Sequence, residues 1–175
     1  MISNTHCAYI LQKGKNQGKP CGRRVKKTRC CSRHEKWESY LMGHTGYVTC
    51  LEVLLDGVSL ASGSRDKTVR LWNTTTGDCL RTLEGHTRSV ECLAVLSDGV
   101  SLASGSDDKT VKIWNTTTGN CLRTLEGHTS SVLCLAVLSD GVSLASGSYD
   151  TTIKLWDTRT GACTRTLKAA AMAAL

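Results

Sequence analysis

The sequence contains no phenylalanine and one proline among its 175 residues, and aromatic side chains make up 5% of it. Few aromatics together with sixteen glycines are typical of short, often repeated strands joined by tight turns. No apolar run approaches the roughly 20 residues that a membrane span requires, so we expect no membrane contact. The first charged residues are not followed by the apolar stretch that a signal peptide has. The sequence therefore predicts an intracellular protein, cytoplasmic or nuclear.

The net charge of +7 is unevenly distributed along the chain. Residues 1–40 hold ten Lys/Arg against two Glu, whereas residues 41–175 hold twelve Lys/Arg against thirteen Asp/Glu. Any electrostatic attraction for an acidic partner therefore belongs to the N-terminal part.

A repeat of 42 residues dominates the rest of the chain. Gly-His pairs recur at residues 43, 85 and 127, and Trp recurs at 72, 114 and 156. The segment 92–106 is identical to 134–148. Identity of this length indicates a duplicated structural unit.

Each unit has the pattern of four short strands separated by turn residues, predicted in the first unit at 48–54, 59–64, 68–72 and 79–83. Asp56-Gly57 is a good hairpin turn between the first two. Most of the strands carry apolar residues on both faces. Such a sheet must be covered on both sides, which radial stacking of sheets achieves.

Gly-His, then Leu-Ala-Ser-Gly-Ser, Asp and Leu-Trp at this period resemble the WD-repeat family. The resemblance implies an all-β chain with three four-stranded propeller blades, a partial propeller, behind a small irregular Cys/His-containing segment at 1–36. The repeats would be 43–84, 85–126 and 127–168, preceded by an outer strand at 37–42 and followed by an Ala-rich tail at 169–175. Only Trp156-Asp157 is a literal Trp-Asp pair, and the other two repeats have Trp-Asn. Because Asn also accepts a turn hydrogen bond, we expect the same fold there.

Each repeat contains a Ser, a His and an Asp, which superficially suggests a hydrolase. A catalytic site is assembled once, whereas this set occurs three times in register with Trp, so we predict no enzymatic activity. The resemblance implies instead a buried hydrogen-bond network that pins each blade. Its members would be His44, Ser62, Asp66, Trp72; His86, Ser104, Asp108, Trp114; and His128, Ser146, Asp150, Trp156.

Six of the ten cysteines hold two repeat positions. They are Cys50, Cys92, Cys134 and Cys79, Cys121, Cys163. Because they are locked to strand positions, we predict that they act as small core side chains and form neither disulfides nor metal sites.

The other four cysteines, Cys7, Cys21, Cys30 and Cys31, lie in the basic segment and are followed by His34. Thiolate and imidazole ligands at these intervals can close a tetrahedral zinc site from Cys7, Cys21, Cys30 or Cys31, and His34. The alternatives are a flexible basic tail with incidental thiols, or a redox role. The segment also resembles short Cys/His modules in proteins of large DNA viruses.

The ten Lys/Arg of this segment could bind nucleic-acid phosphates without sequence preference, or remain a solvated charged face. The alternative function for the whole chain is accordingly a nucleic-acid-associated zinc-binding module that the blades multimerise.

Three blades are fewer than the four to eight typical of closed propellers, which leaves both end faces open. We expect either a homodimer that closes a six-bladed ring or a piece of a longer propeller. Val53 and Val137 are candidate residues at such a junction.

The favoured function is a non-catalytic scaffold that binds protein partners. The repeats differ mainly in two turns, which by family similarity open on one rim of the propeller. The partner-binding residues predicted from those differences are Tyr47, Arg65, Arg88, Asp107 and Tyr149.

Overall fold

The computed structural model describes residues 43–168, which form twelve strands in three sheets. Blade 1 (43–84) contains β1 (Val48–Val53), β2 (Ser59–Ser64), β3 (Val69–Asn73) and β4 (Cys79–Leu83). Blade 2 (85–126) contains β5 (Val90–Val95), β6 (Ser101–Ser106), β7 (Val111–Asn115) and β8 (Cys121–Leu125). Blade 3 (127–168) contains β9 (Val132–Val137), β10 (Ser143–Ser148), β11 (Thr152–Asp157) and β12 (Cys163–Lys168). The predicted all-β fold of three four-stranded blades is confirmed.

Each blade is an antiparallel meander in which consecutive strands pair. The first hairpin of blade 1 turns at Asp56-Gly57, as predicted. The Asp56 carboxylate accepts the Val58 and Ser59 amides at 2.9 and 2.7 Å, and Gly57 takes the left-handed φ of 71°. Asp98-Gly99 and Asp140-Gly141 repeat this turn, so the local sequence fixes the same hairpin three times.

Three predicted strand ends in blade 1 differ by one residue from the structure: β1 ends at Val53 instead of 54, and β3 runs over Val69–Asn73 instead of 68–72. Leu54 donates its amide to the Ser59 carbonyl at 2.8 Å, which closes the hairpin and ends β1 at Val53. Thr68 donates its amide to the Asp66 carboxylate at 3.0 Å and therefore belongs to the turn before β3.

Asn replaces Asp at the end of the third strand in blades 1 and 2 without changing the turn. The Asn73 side-chain oxygen accepts the amides of Thr75 and Thr76 at 2.8 and 3.0 Å. Asp157 in blade 3 accepts the amides of Arg159 and Thr160, both at 2.9 Å. The turn requires an acceptor oxygen rather than a charge, as predicted.

The core lies between blades rather than within one. We call the side of a blade that packs on the preceding blade its leading face, and the opposite side its trailing face. The trailing face of blade 1 consists of Cys50, Leu54, Ala61, Val69, Leu71 and Leu83. It packs on the leading face of blade 2, which consists of Val90, Leu93, Val95, Leu102 and Trp114.

The contact between blades 2 and 3 uses the equivalent residues. The trailing face of blade 2 consists of Cys92, Leu96, Ala103, Val111, Ile113 and Leu125. It packs on Val132, Leu135, Val137, Leu144 and Trp156 of blade 3. Val137 therefore lies at an internal contact, and the expectation that it faces an open junction was wrong. Val53 belongs to the leading face of blade 1 and is exposed.

Six cysteines were predicted to be core side chains. The prediction holds in part for the repeat position of Cys50, Cys92 and Cys134. Cys92 is buried between blades 2 and 3, Cys50 is half-buried, and Cys134 is exposed because no blade follows it in residues 43–168. The prediction was wrong for Cys79, Cys121 and Cys163, which are all exposed. They lie on the last strand of each sheet, where alternate side chains point away from the neighbouring blade. All six described cysteines are free thiols.

Within residues 43–168, no helix is long and apolar enough to cross a membrane. The basic segment at 1–36, the predicted strand at 37–42 and the tail at 169–175 lie outside the described residues.

Candidate functional site

The four residues that the resemblance places in each blade's network lie in hydrogen-bond contact. In blade 2, His86 Nδ1 lies 2.7 Å from Asp108 Oδ2, and His86 Nε2 lies 2.7 Å from Ser104 Oγ. Trp114 Nε1 donates to the same serine oxygen at 2.8 Å. The chain thus runs from carboxylate to imidazole to hydroxyl to indole.

Blades 1 and 3 contain the same contacts at the same distances. Their members are His44, Ser62, Asp66, Trp72 and His128, Ser146, Asp150, Trp156. All twelve predicted network residues therefore take part in three equivalent networks.

The chemistry of the partners assigns the protons in blade 2. Since the Asp108 carboxylate only accepts, Nδ1 of His86 carries a proton, and the neutral imidazole then accepts the Ser104 hydroxyl proton at Nε2. The serine oxygen in turn accepts the Trp114 N–H. Every polar atom along this line is used, which favours a single arrangement of the blade.

The serine oxygens do not serve as nucleophiles in this geometry. Ser62, Ser104 and Ser146 are buried, and each is bound by both an imidazole and an indole. A substrate carbonyl would have to displace the Trp N–H and open the blade to reach them. The Ser-His-Asp likeness is therefore structural.

The aspartate of each network also anchors two loops, which the sequence reasoning missed. Asp66 accepts the Thr45 amide at 2.9 Å on one oxygen, and the Thr68 hydroxyl at 2.7 Å on the other. Thr110 and Thr152 repeat the role of Thr68 in the other blades. The signal was present in the sequence, because Thr recurs at this position every 42 residues.

These contacts shift the titration of the aspartates. Partial burial alone would raise the pKa of Asp108, but hydrogen bonds from His86, Thr110 and the Thr87 amide outweigh it, so the pKa lies well below its ordinary value. The pKa values of Asp66 and Asp150 are lowered by the corresponding donors against the same burial penalty. The carboxylates are therefore ionised acceptors at neutral pH.

The five residues predicted to bind partners lie on two loops that meet at one edge of each blade. We call this edge the variable rim, defined by Tyr47, Arg65, Arg88, Asp107 and Tyr149. The Arg65 amide donates to the Tyr47 carbonyl at 2.9 Å, which joins the loop before β1 to the β2–β3 turn. The backbone amides of Asp107 and Tyr149 donate to the carbonyls of Ser89 and Ser131 at 2.9 and 3.0 Å.

The side chains of the variable rim differ from blade to blade. Blade 1 presents Tyr47 with the Arg65 guanidinium 5.6 Å from its ring centre, a cation–π pair. Blade 2 presents Arg88 and the half-buried Asp107, and blade 3 presents Tyr149. Both tyrosines are largely exposed. The rim thus combines aromatic, cationic and acidic groups on a backbone that the networks hold.

The predicted metal ligands Cys7, Cys21, Cys30, Cys31 and His34 lie outside the described residues. Within 43–168, no three His, Cys, Asp or Glu side chains are grouped in a way that could hold a metal ion.

A comparison with known families agrees with the blades. The family model described as "WD domain, G-beta repeat" matches residues 35–73, 77–115 and 119–157. The chain belongs to the WD-repeat family. The second and third WD matches each begin with the last strand of one blade and continue through the first three strands of the next, so they are offset by one strand from the sheets. The first match starts at residue 35 and thus includes 37–42, the sequence equivalent of β4.

Two similar WD proteins each match over about one repeat. "WD repeat-containing protein 18" of Bos taurus is 56% identical over 41 residues, 23% of this chain and 10% of that protein. "Ribosome biogenesis protein BOP1 homolog" of Drosophila virilis is 50% identical over 42 residues, 24% of this chain and 5% of that protein. The matched repeats thus span about a tenth or less of these two relatives.

Solved WD structures match all three blades. The "Structure of U3-55K" has a TM-score of 0.70 at 32% identity and covers 74% of this chain and 41% of that one. The "Crystal structure of RRP9 WD40 repeats" gives the same values. The WD fold of this chain therefore corresponds to less than half of each of these chains.

Proposed function

We propose that this WD-repeat chain is a non-catalytic scaffold that binds protein partners on its variable rim. The observation that carries the proposal is the contrast between rim and body. Blades 2 and 3 share an identical segment at 92–106 and 134–148, yet residues just outside it differ in charge and aromaticity. Sequence differences placed on exposed, backbone-anchored turns are where partner specificity can arise without cost to the core.

The composition of the variable rim suits protein recognition. Tyr and Arg are enriched among the hot spots of protein interfaces because they offer large contact areas and directional polar groups. Tyr47, Tyr149 and Arg65 are exposed, and the hydrogen bonds beneath them hold their loops before any partner arrives. A preformed rim loses little conformational freedom on binding.

The test compares two rims of the same chain. The β1–β2 and β3–β4 turns form the opposite rim, where Thr74 donates its amide to the Val58 carbonyl at 3.0 Å. Affinity capture with quantitative mass spectrometry would use the parent chain, the variant Tyr47→Ala/Tyr149→Ala and the control Thr75→Ala/Thr117→Ala. All four side chains are exposed, so both variants should fold like the parent.

We expect specific proteins to be depleted at least about tenfold by the tyrosine variant and retained by the threonine control, since tenfold corresponds to about 1.4 kcal/mol. Equal recovery with all three chains would exclude the variable rim as the partner site. An interaction lost only with the threonine variant would move the site to the opposite rim.

The zinc site in 1–36 and nucleic-acid binding by its basic residues remain predictions from the sequence, as does the cytoplasmic or nuclear location.

A further inference from the structure

The two open faces of the three-blade array repeat the two halves of its internal contacts. The leading face of blade 1 consists of Val48, Leu51, Val53, Leu60 and Trp72. The first three are exposed, Leu60 is half-buried and Trp72 is buried. These five residues are identical to their equivalents on the leading faces of blades 2 and 3. Blade 1 therefore presents the same leading face that is packed on a preceding blade in blades 2 and 3.

The trailing face of blade 3 repeats the other half. It consists of Cys134, Leu138, Ala145, Ile153, Leu155 and Leu167. Compared with blade 2, the only changes are Val111 to Ile153 and Ile113 to Leu155, which keep the face aliphatic. The apolar residues of the two open sets include no charged side chain. Arg165 holds the place of Arg81 and Arg123, which lie beside glycines of the next blade at the internal contacts, so a cation at this place is compatible with packing.

Residues of the two open faces are more exposed than their equivalents at the internal contacts. Ile153 is 47% exposed, whereas its equivalents Val69 and Val111 are fully buried. Leu167 is 43% exposed against 2% for Leu125. On the other open face, Val48 is 38% exposed, whereas its equivalents Val90 and Val132 are fully buried. Large apolar side chains exposed together on a sheet face mark an interaction site.

Glycines on the trailing faces show how specific the fit is. A Cβ added at Gly63 would lie 2.7 Å from Cγ1 of Val90, and one at Gly105 would lie 2.7 Å from Cγ1 of Val132. The missing Cβ thus makes room for a valine of the next blade, and also for the cysteine of the same blade, Cys50 or Cys92, whose Sγ would lie 2.5 Å from such a Cβ. Gly147 holds the same place on blade 3, where within the described residues only Cys134 lies near such a Cβ.

A second glycine contact runs in the opposite direction. Gly119 of blade 2 lies over the Leu83 side chain of blade 1, and Gly161 of blade 3 lies over Leu125, with 3.7 and 3.4 Å from the ideal Cβ to the leucine Cδ2. Gly77 of blade 1 has the same φ of about 80° and is the equivalent group on the open leading face. Its counterpart on the open trailing face is Leu167.

We propose that two copies of this chain pair head to tail, with the trailing face of blade 3 in each copy packed on the leading face of blade 1 in the other. Val48 of one copy then sits over Gly147 of its partner, and Gly77 sits over Leu167, as in the internal contacts. Two such junctions close a six-bladed ring, within the four to eight blades of closed propellers. The ring buries both apolar faces that residues 43–168 leave open.

The first test is the solution mass of the 175-residue chain by light scattering at micromolar concentration. We expect about 38 kDa, twice the 18.9 kDa of one chain. The variants Ile153→Glu and Val48→Lys each place a charge on one open face and should give monomers. In the control Leu122→Glu, the altered leucine lies on blade 2 and is exposed even though blade 3 packs on that blade. This variant should remain a dimer.

Mixing separates head-to-tail pairing from other arrangements. Each single variant spoils both junctions of its homodimer, whereas a mixture of Ile153→Glu and Val48→Lys has one unaltered junction and one Glu–Lys junction. We expect the mixture to recover the dimer mass. If Ile153→Glu dissociates the dimer and Val48→Lys does not, blade 3 pairs with blade 3, and the proposal is wrong.

A readout on the unaltered chain covers the case in which a variant fails to fold. Cys134 lies on the open trailing face, whereas Cys121 is exposed on the outer strand of blade 2. With maleimide labelling followed by peptide mass spectrometry, we expect Cys134 to react at least tenfold more slowly than Cys121 and to accelerate on dilution into monomer. A folded parent monomer, equal labelling of both thiols, or a ladder of masses above the dimer would each overturn the closed two-chain ring.

Discussion

The network of blade 2 offers the sharpest test of what holds a blade together. Replacing His86 with alanine removes two short hydrogen bonds and leaves their partners in place. Ser104 is fully buried and keeps only the Trp114 N–H. Asp108 keeps the Thr87 amide and the Thr110 donors but loses its imidazole.

The cost follows from the groups left behind. A buried hydroxyl without its acceptor costs about 1–3 kcal/mol, and a lost hydrogen bond to a charged group about 1.5–3 kcal/mol. We therefore expect His86→Ala to lower the free energy of unfolding by about 2.5–6 kcal/mol. In a domain whose whole stability is about 5–15 kcal/mol, this is a large fraction.

The assay is urea unfolding followed by tryptophan fluorescence and far-UV circular dichroism. At a slope of about 2 kcal/mol per molar urea, the midpoint should fall by roughly 2 M. The matched control is Thr87→Ala, a change to the exposed neighbour that leaves its backbone amide on Asp108. If His86→Ala unfolds with the parent, the buried network does not hold the blade, and the reasoning fails.

Three further outcomes are expected. The pKa of Asp108 is lower in the folded chain than in the unfolded one, so the stability that it contributes is present above the unfolded pKa of about 3.9 and is lost as pH falls below it. Urea midpoints should therefore drop between pH 5 and 2, and they should drop less steeply in Asp108→Asn. A drop of equal slope in both chains would refute this. Thr151 has a φ of 66°, costly for a β-branched residue, and Thr151→Gly should stabilise blade 3 by about 0.5–1 kcal/mol in the same assay, more than Lys109→Gly at the equivalent position. An equal or smaller gain would show that the turn carries no such strain. Chain purified in zinc under reducing conditions should hold about one zinc per copy by elemental analysis, lost in Cys21→Ser, while chelation leaves the β-sheet signal of the blades. A metal-free preparation would leave the basic segment without its proposed site.

The spacing of residues along the chain determined most of the blade. The 42-residue period, the Asp-Gly turns and the turn residues between short strand patterns place the strands to within one residue, because each turn is closed by hydrogen bonds between near neighbours. The members of the network could also be assigned in advance, by resemblance to the WD-repeat family. Its four members hold fixed positions in every repeat, so repeat register alone brings them together.

Only the tertiary structure decided which apolar positions are buried. Cys92 and Cys134 lie in identical segments, yet one is buried and the other exposed, because burial depends on whether another blade follows. The same cause placed Val137 at an internal contact and Val53 on an open face. Each unit of a repeat sequence carries both halves of the interface between blades. Whether a face is buried depends on a neighbouring blade, and therefore on the number and order of blades and not on the residue itself.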